Sequence, residues 1–194
     1  QMQRPVIVHA LTQKGRGYGH AEARPGPFHG VTPFDLATGT CETPGCKSNS
    51  LAFGEELVRL AGQDGRIVAV SAAMVEGTGL TPMFQAYPRR CFDVGIAEGH
   101  AVTMAAGMAA GGLRPVVALY STFLQRAYDQ IIHDVCLQNL PVVFAIDRAG
   151  LVGIPVYDIS FLYGVNNMII LSPATQAELA QMLAWALNQD SPAA

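Results

Sequence analysis

Glu98 follows a short apolar run, Cys91-Phe92-Asp93-Val94, and the turn Gly95-Ile96-Ala97, and it precedes a stretch dense in alanine and glycine. A carboxylate at such a point is favoured by the positive end of a helix, which makes it a capping acid. A buried acid at a strand-to-helix turn is equally suited to contacting a ligand, and both readings stay open. The run Leu119-Tyr120-Ser121-Thr122 is followed by Phe123 and Arg126. Tyr120 and Phe123 read first as packed core aromatics and Arg126 as a solvated charge, with a site role as the alternative. Asp147-Arg148-Ala149-Gly150 sets two charges and a flexible turn after another apolar run. Arg148 there suits an anion such as phosphate, against the plainer reading of a salt bridge between helices. Phe28-His29-Gly30-Val31 is a glycine-flanked segment suited to presenting an imidazole.

Metal chemistry finds little support. His9, His20 and His29 are separated by 11 and 9 residues, which matches no ligand spacing. Cys41 and Cys46 flank a Glu-Thr-Pro-Gly turn and could be half of a zinc site, but no second pair follows, so an ordinary loop is expected. Cys91 and Cys136 sit in apolar segments and read as small core residues, and four such cysteines fit a reducing cytosolic compartment. The net charge of -3 over 194 residues offers no positive field for nucleic acid or an anionic membrane. No run approaches the roughly 18 apolar residues of a membrane span, and the first five residues carry no signal-peptide pattern.

The elements that must hold these residues begin near residue 50, where the composition changes. Residues 1–50 contain one apolar run, Pro5-Val6-Ile7-Val8, then a Gly/Pro-rich stretch without a core of its own, expected to be poorly ordered or attached to a larger domain. In residues 51–194, β-branched runs at 67–71, 91–95, 115–120, 142–147 and 168–171 alternate with helical segments. Several of those runs are apolar without alternation, as in parallel strands covered on both faces. One helix is expected to carry Phe53, Leu57 and Leu60, another to span 97–111, a third to carry Phe123, Ile131, Ile132 and Val135, and the last to carry Leu179, Met182, Leu183 and Leu187 behind a Thr175/Glu178 capping box. The alanine-rich helix is expected to be buried, against the sheet or a second copy. The fold class is α/β with a mostly parallel sheet flanked by helices, whose ligands bind beyond the carboxyl ends of the strands.

Five stretches in this order resemble the transketolase-like thiamine diphosphate enzymes, in the branch that joins pyruvate to D-glyceraldehyde 3-phosphate with loss of carbon dioxide. They are Thr12-Gln13-Lys14-Gly15-Arg16-Gly17-Tyr18, Phe28-His29-Gly30-Val31 with Pro33-Phe34-Asp35, Phe92-Asp93-Val94-Gly95-Ile96-Ala97-Glu98, the run from Tyr120 to Gln130, and Asp147-Arg148-Ala149-Gly150. The resemblance implies a pyrimidine-binding domain over 51–194, preceded by the end of a diphosphate-binding domain over 1–50. It implies a product feeding isoprenoid, thiamine and pyridoxal synthesis. It implies Glu98 on the aminopyrimidine nitrogen, with Phe123 stacked on the pyrimidine and Tyr18 and Ile96 also at the cofactor. Tyr120, Arg126 and Arg148 would hold substrate, Arg148 facing its phosphate, and His29 would assist proton transfer. Thiamine diphosphate with Mg²⁺, a homodimer and a cytoplasmic location complete what it implies.

Departures from the family pattern accompany the match. The Gly-Asp-Gly run that binds metal and diphosphate, and the histidines upstream, are not in this sequence, so the Mg²⁺ ligands are expected in a missing N-terminal part. Gly99 stands where the family usually has Gln. After Gly153 a loop bearing Asp and His is expected, but Ile154-Pro155-Val156-Tyr157-Asp158 follows directly. A fragment of such an enzyme, inactive alone, is therefore expected. The alternatives are a non-catalytic binding or regulatory module of the same fold, or the pyrimidine domain of a two-chain transketolase or ketoacid dehydrogenase.

Overall fold

The computed structural model describes residues 4–40, 48–150 and 158–194. The chain divides into two compact units, Gln1–Cys46 and Lys47–Ala194. The expectations for Cys41 and Cys46 and for the shortened loop at 154–157 lie outside the described residues.

The first unit is organised by a turn of helix and an aromatic cluster. Helix α1 (Gly19–Ala23) buries Ala21, and Tyr18 precedes it in extended conformation. Tyr18 packs edge-on to Phe28 at 5.5 Å between ring centres and also touches His20 and Phe34, while Phe28 and Phe34 meet at 5.2 Å. Asp35 gathers the backbone N–H groups of Ala37 and Thr38 and the Thr38 hydroxyl on one carboxylate oxygen, which closes the turn opposite.

The second unit is a sheet covered on both faces. Its strands are β1 (Ile67–Ser71), β2 (Cys91–Asp93), β3 (Arg114–Tyr120) and β4 (Val143–Asp147), all parallel, in the order β2-β1-β3-β4. All five residues of β1 are buried, as the unbroken apolar run requires of a central parallel strand. Helix α2 (Asn49–Gln63) is capped by Ser48, whose hydroxyl accepts from Leu51 N, and buries Phe53, Leu57 and Leu60. With α3 (Thr81–Ala86) and α8 (Gln176–Ala186) it covers the face made by Ile67, Ala69, Val116 and Ala118.

Helix α4 (Glu98–Ala110) lies on the opposite face, where Ala101, Ala105, Ala106 and Ala109 join Val70, Val117, Leu119 and Phe144 in a second core. The close approach that alanines permit is thus made to the chain's own sheet. The segment after β3 is not one helix. It runs through α5 (Ser121–Leu124), a 3₁₀ turn (Gln125–Ala127), α6 (Tyr128–Gln130) and a π-helical stretch (Ile131–Cys136), still burying Ile131 and Val135.

The sequence of 168–171 predicts a fifth strand, and the structure differs. Beside β4 the backbone of Ala193 is seated instead, accepting from Phe144 N at 2.7 Å and donating to Val142 O at 3.1 Å, and Ile169 pairs with Ala193 from the far side. The position next to β4 is filled by a single bridge, which leaves 168–171 one place further out. Helix α7 (Asp158–Tyr163) precedes that segment. At the start of α8 the Thr175 hydroxyl accepts from Glu178 N, and the Glu178 carboxylate reaches back to Ala174 N at 2.7 Å, so the cap predicted from Thr175 and Glu178 is formed. Among the described residues no helix is long and apolar enough to cross a membrane.

Candidate functional site

Because the strands are parallel, their carboxyl ends share one edge: Ser71 lies opposite Asp93, and Tyr120 opposite Asp147. Loops from neighbouring strands are tied together there. Asp93 Oδ1 accepts from Ala73 N at 2.7 Å and from Gly95 N at 3.0 Å, which fixes the end of β2 to the loop after β1. Gly95 has φ +71, a conformation that lets the chain turn sharply from β2 into α4.

Glu98 is the first residue of α4 and is 3 % exposed. No side chain caps this helix, so its carboxylate is the acidic group at the positive helix end. Arg126 Nη1 stands 3.6 Å from Glu98 Oε2, with the arginine side chain largely in solvent. Two apolar side chains on these elements stay accessible: Ile96 is 78 % and Phe123 40 % exposed. Ile96 precedes the buried carboxylate by two residues, and Phe123 precedes its partner Arg126 by three.

A second group begins at Tyr120. Its ring lies 6.0 Å from that of Phe123, and Arg148 stacks its guanidinium carbon 4.0 Å from the Tyr120 ring centre. Arg148 adopts φ +55, and its N–H donates to Asp147 Oδ1 at 2.7 Å. Asp147 Oδ2 accepts from Ser50 Oγ at 2.9 Å. Partial burial pushes the Tyr120 phenol above its ordinary pKa, with the Arg148 charge opposing and Asp147 adding. Arg148 is exposed and, among the described residues, makes no salt bridge between helices; its guanidinium rests on an aromatic face, where it can meet an anion.

Of the residues singled out in the sequence, the second unit brings together Glu98 with Arg126, and Phe123 with Tyr120 and Arg148. Tyr18 and His29 belong to the first unit. Tyr18 donates its hydroxyl to Leu36 O at 3.0 Å, and His29 is exposed, its backbone N–H donating to Gly26 O. Sequence reading missed Asp158, which accepts from Gly150 N at 2.6 Å and from the Ser121 hydroxyl, joining the ends of β4 and β3. Its signal was an acid at a helix start. It also missed Gln130, whose buried Oε1 has no partner among the described residues and faces the position a Gly99 side chain would take. A cleft of about 770 Å³ borders Asp147, Arg148 and Asp158 but not Glu98. Its walls are the β4 and α8 side of the sheet; the surroundings of Glu98 are the better guide to the chemistry because a buried acid and a cation meet there.

These features define an α/β domain with a parallel sheet, whose candidate site lies at the carboxyl ends of the strands. The sequence profile of the family described as transketolase, pyrimidine binding domain, matches residues 47–194, and the chain belongs to that family. It is 52 % identical to the 1-deoxy-D-xylulose-5-phosphate synthase of Clostridium kluyveri, with all of this chain and 32 % of the relative covered. It is 56 % identical to the synthase of the same name from Pelotomaculum thermopropionicum, covering 98 % of this chain and 31 % of that one. The chain therefore spans about a third of the length of the curated relatives it matches. Among solved structures, a split-gene transketolase described as an inactive β4 tetramer aligns at TM-score 0.68 and 28 % identity over 77 % of this chain and 50 % of that one. Transketolase from Leishmania mexicana aligns at TM-score 0.66 and 18 % identity over 78 % and 26 %, a likeness of fold alone.

Proposed function

We propose that the chain is the pyrimidine-binding part of a 1-deoxy-D-xylulose-5-phosphate synthase, a transferase that joins pyruvate and D-glyceraldehyde 3-phosphate with loss of carbon dioxide. The observation that carries the reading is Glu98, a carboxylate 3 % exposed on the first turn of an uncapped helix, two residues after the exposed Ile96 and 3.6 Å from Arg126, which follows the accessible Phe123 by three residues. The names of relatives at 52 % and 56 % identity support the choice of reaction.

These residues fit the aminopyrimidine half of thiamine diphosphate. When bound, that cofactor supplies the carbanion chemistry that decarboxylation of a 2-oxo acid requires. The chain's own part is grip and orientation. Glu98 would hold a ring nitrogen by a charge-assisted hydrogen bond and would thereby make the exocyclic nitrogen opposite a better base. Phe123 and Ile96 fix the plane of the ring and exclude water from it. Tyr120 and Arg126 line the approach of substrate, and the forked donors of Arg148 meet the phosphate of D-glyceraldehyde 3-phosphate. For the first unit the reading assigns Tyr18 to the cofactor and His29 to a proton near the reacting carbons.

The reading includes Mg²⁺ with the diphosphate. Its ligands are assigned to the Gly-Asp-Gly motif of such an enzyme, which this sequence does not contain. Residues 1–50 are read as the end of its diphosphate-binding domain and residues 51–194 as its pyrimidine domain, working as a cytoplasmic homodimer. A pyrimidine chain of a two-chain transketolase is the second reading, favoured by the likeness to the split-gene protein and set second by the lower identity of 28 %.

The test is a graft. This chain replaces the matching region of the Clostridium kluyveri synthase, and formation of 1-deoxy-D-xylulose 5-phosphate is assayed. Activity that Glu98→Ala reduces at least a hundredfold supports the reading; a folded graft that makes no product at saturating thiamine diphosphate and Mg²⁺ overturns it.

A further inference from the structure

Gly77 lies in the loop that follows β1, within Val75-Glu76-Gly77-Thr78-Gly79. The loop is tightly folded. Thr78 donates both its hydroxyl and its N–H to Met74 O, at 2.8 and 2.9 Å, Leu80 N donates to Val75 O at 2.9 Å, and Thr78 is 2 % exposed. Gly77 is not among the residues with positive φ, so its backbone conformation is open to any amino acid. What forbids a side chain is Tyr120. A Cβ at Gly77 would overlap the Tyr120 hydroxyl, 1.6 Å away, and stand 2.7 Å from Cζ, distances that real contacts do not show. The same loop meets Tyr120 a second time, at its backbone, where Tyr120 N approaches Met74 Sδ at 3.4 Å. Tyr120 in turn carries the Arg148 guanidinium 4.0 Å from its ring centre.

We infer that Gly77 is a positioning residue: it is glycine so that Tyr120 can lie against the bare backbone of the loop and hold the Arg148 guanidinium at the carboxyl edge of the sheet. The inference deepens the reading above and rests on it where it concerns substrate. A side chain at residue 77 lifts the Tyr120 ring, and the guanidinium loses the face on which it is stacked. A shift of about 1 Å in a binding group is enough to cost tenfold or more.

The experiment uses the 194-residue chain, with Gly77→Ala, Tyr120→Leu and the double variant. The Arg148 Nε–H resonance, assigned with Arg148→Lys, reports the stacking through the ring current of Tyr120, and titration with D-glyceraldehyde 3-phosphate reports binding. Gly77→Ala is expected to remove the ring-current shift as Tyr120→Leu does and to weaken binding about tenfold, and the double variant is expected to lose nothing beyond Tyr120→Leu. An unchanged Arg148 resonance in Gly77→Ala overturns the inference. If Gly77→Ala does not fold, the double variant must fold as well as Tyr120→Leu does; failure of both overturns it too. Loss of the ring-current shift with no D-glyceraldehyde 3-phosphate binding by the wild-type chain supports the positioning role, and the substrate reading then stands or falls with the same variants in the graft.

Discussion

Arg126 brings its guanidinium to 3.6 Å from the Glu98 carboxylate, joining a side chain that is 63 % exposed to one that is 3 % exposed. The pair is unequal: the acid has given up water and the arginine has not, so most of what the contact does is to compensate a buried charge. Arg126→Met keeps the stem and removes the charge. It should destabilise the chain by about 1 kcal/mol, the scale of a pair with one solvated partner. Combined with Glu98→Gln the cost should shrink, because no buried charge is left to compensate. Urea melts of the two single variants and the double close that cycle.

Two glycines should differ in cost for separate reasons. A Cβ on Gly54 would run into the carbonyl oxygen of Gly79, backbone against backbone between α2 and the loop after β1. Gly54→Ala is expected to cost about 3 kcal/mol or more, because neither side can yield cheaply. Gly95 has open space around it but φ +71, so Gly95→Ala should cost about 1 kcal/mol, the penalty of a left-handed residue alone. Equal midpoints for the two variants in denaturant would refute this ordering.

The wider lesson about the sequence follows from these positions. Strands β1, β3 and β4 were legible because each holds a short β-branched run, β2 because Cys91-Phe92 leads into the turn at Gly95, and Glu98 because an acid stood at a strand-to-helix turn. Register and long-range packing were not. That Gly77 makes room for Tyr120, 43 residues on, depends on how a loop folds over a sheet edge, and no local pattern encodes it. The segment after β3 carries a helical apolar period, yet its 3₁₀ and π turns come from fitting that period to α4 and the sheet. Residues 168–171 have a strand's composition, but the place beside β4 goes to the backbone around Ala193.

Thr103, Asp134 and His133 form a small surface network that should respond to pH. Hydrogen bonding to Asp134 and its charge raise the His133 imidazole above its ordinary value. Its contribution is therefore fully present below the ordinary imidazole range and is lost as pH rises through the raised folded value. Asp134 is lowered by the Thr103 hydroxyl first and His133 second, so its contribution is present above the ordinary carboxylate range and is lost on acidification through the lowered folded value. His133→Gln should flatten the fall in stability as pH rises above the ordinary imidazole range while leaving the acid limb to Asp134, as read from urea midpoints between pH 3 and 9.

The thiols of Cys91 and Cys136 are both pushed up to about 11 by burial, with Arg90 opposing at Cys91. Neither should react with iodoacetamide at pH 8 in the folded chain, since the thiolate is the reactive form. Peptide mapping should find both unmodified in buffer and both alkylated in denaturant; ready labelling of either in the folded chain would contradict the packing described for the two cores.

The central claim is that the first turn of α4, with Ile96 and Phe123, receives an aminopyrimidine on Glu98. The most direct measurement is a titration of the isotope-labelled chain with 4-amino-5-hydroxymethyl-2-methylpyrimidine, the ring without its diphosphate, followed by nuclear magnetic resonance. Saturable shifts confined to the amides of residues 95–100 and the Phe123 ring, and abolished by Glu98→Ala, are the predicted result. Shifts centred elsewhere, or the same shifts persisting in Glu98→Ala, would contradict it.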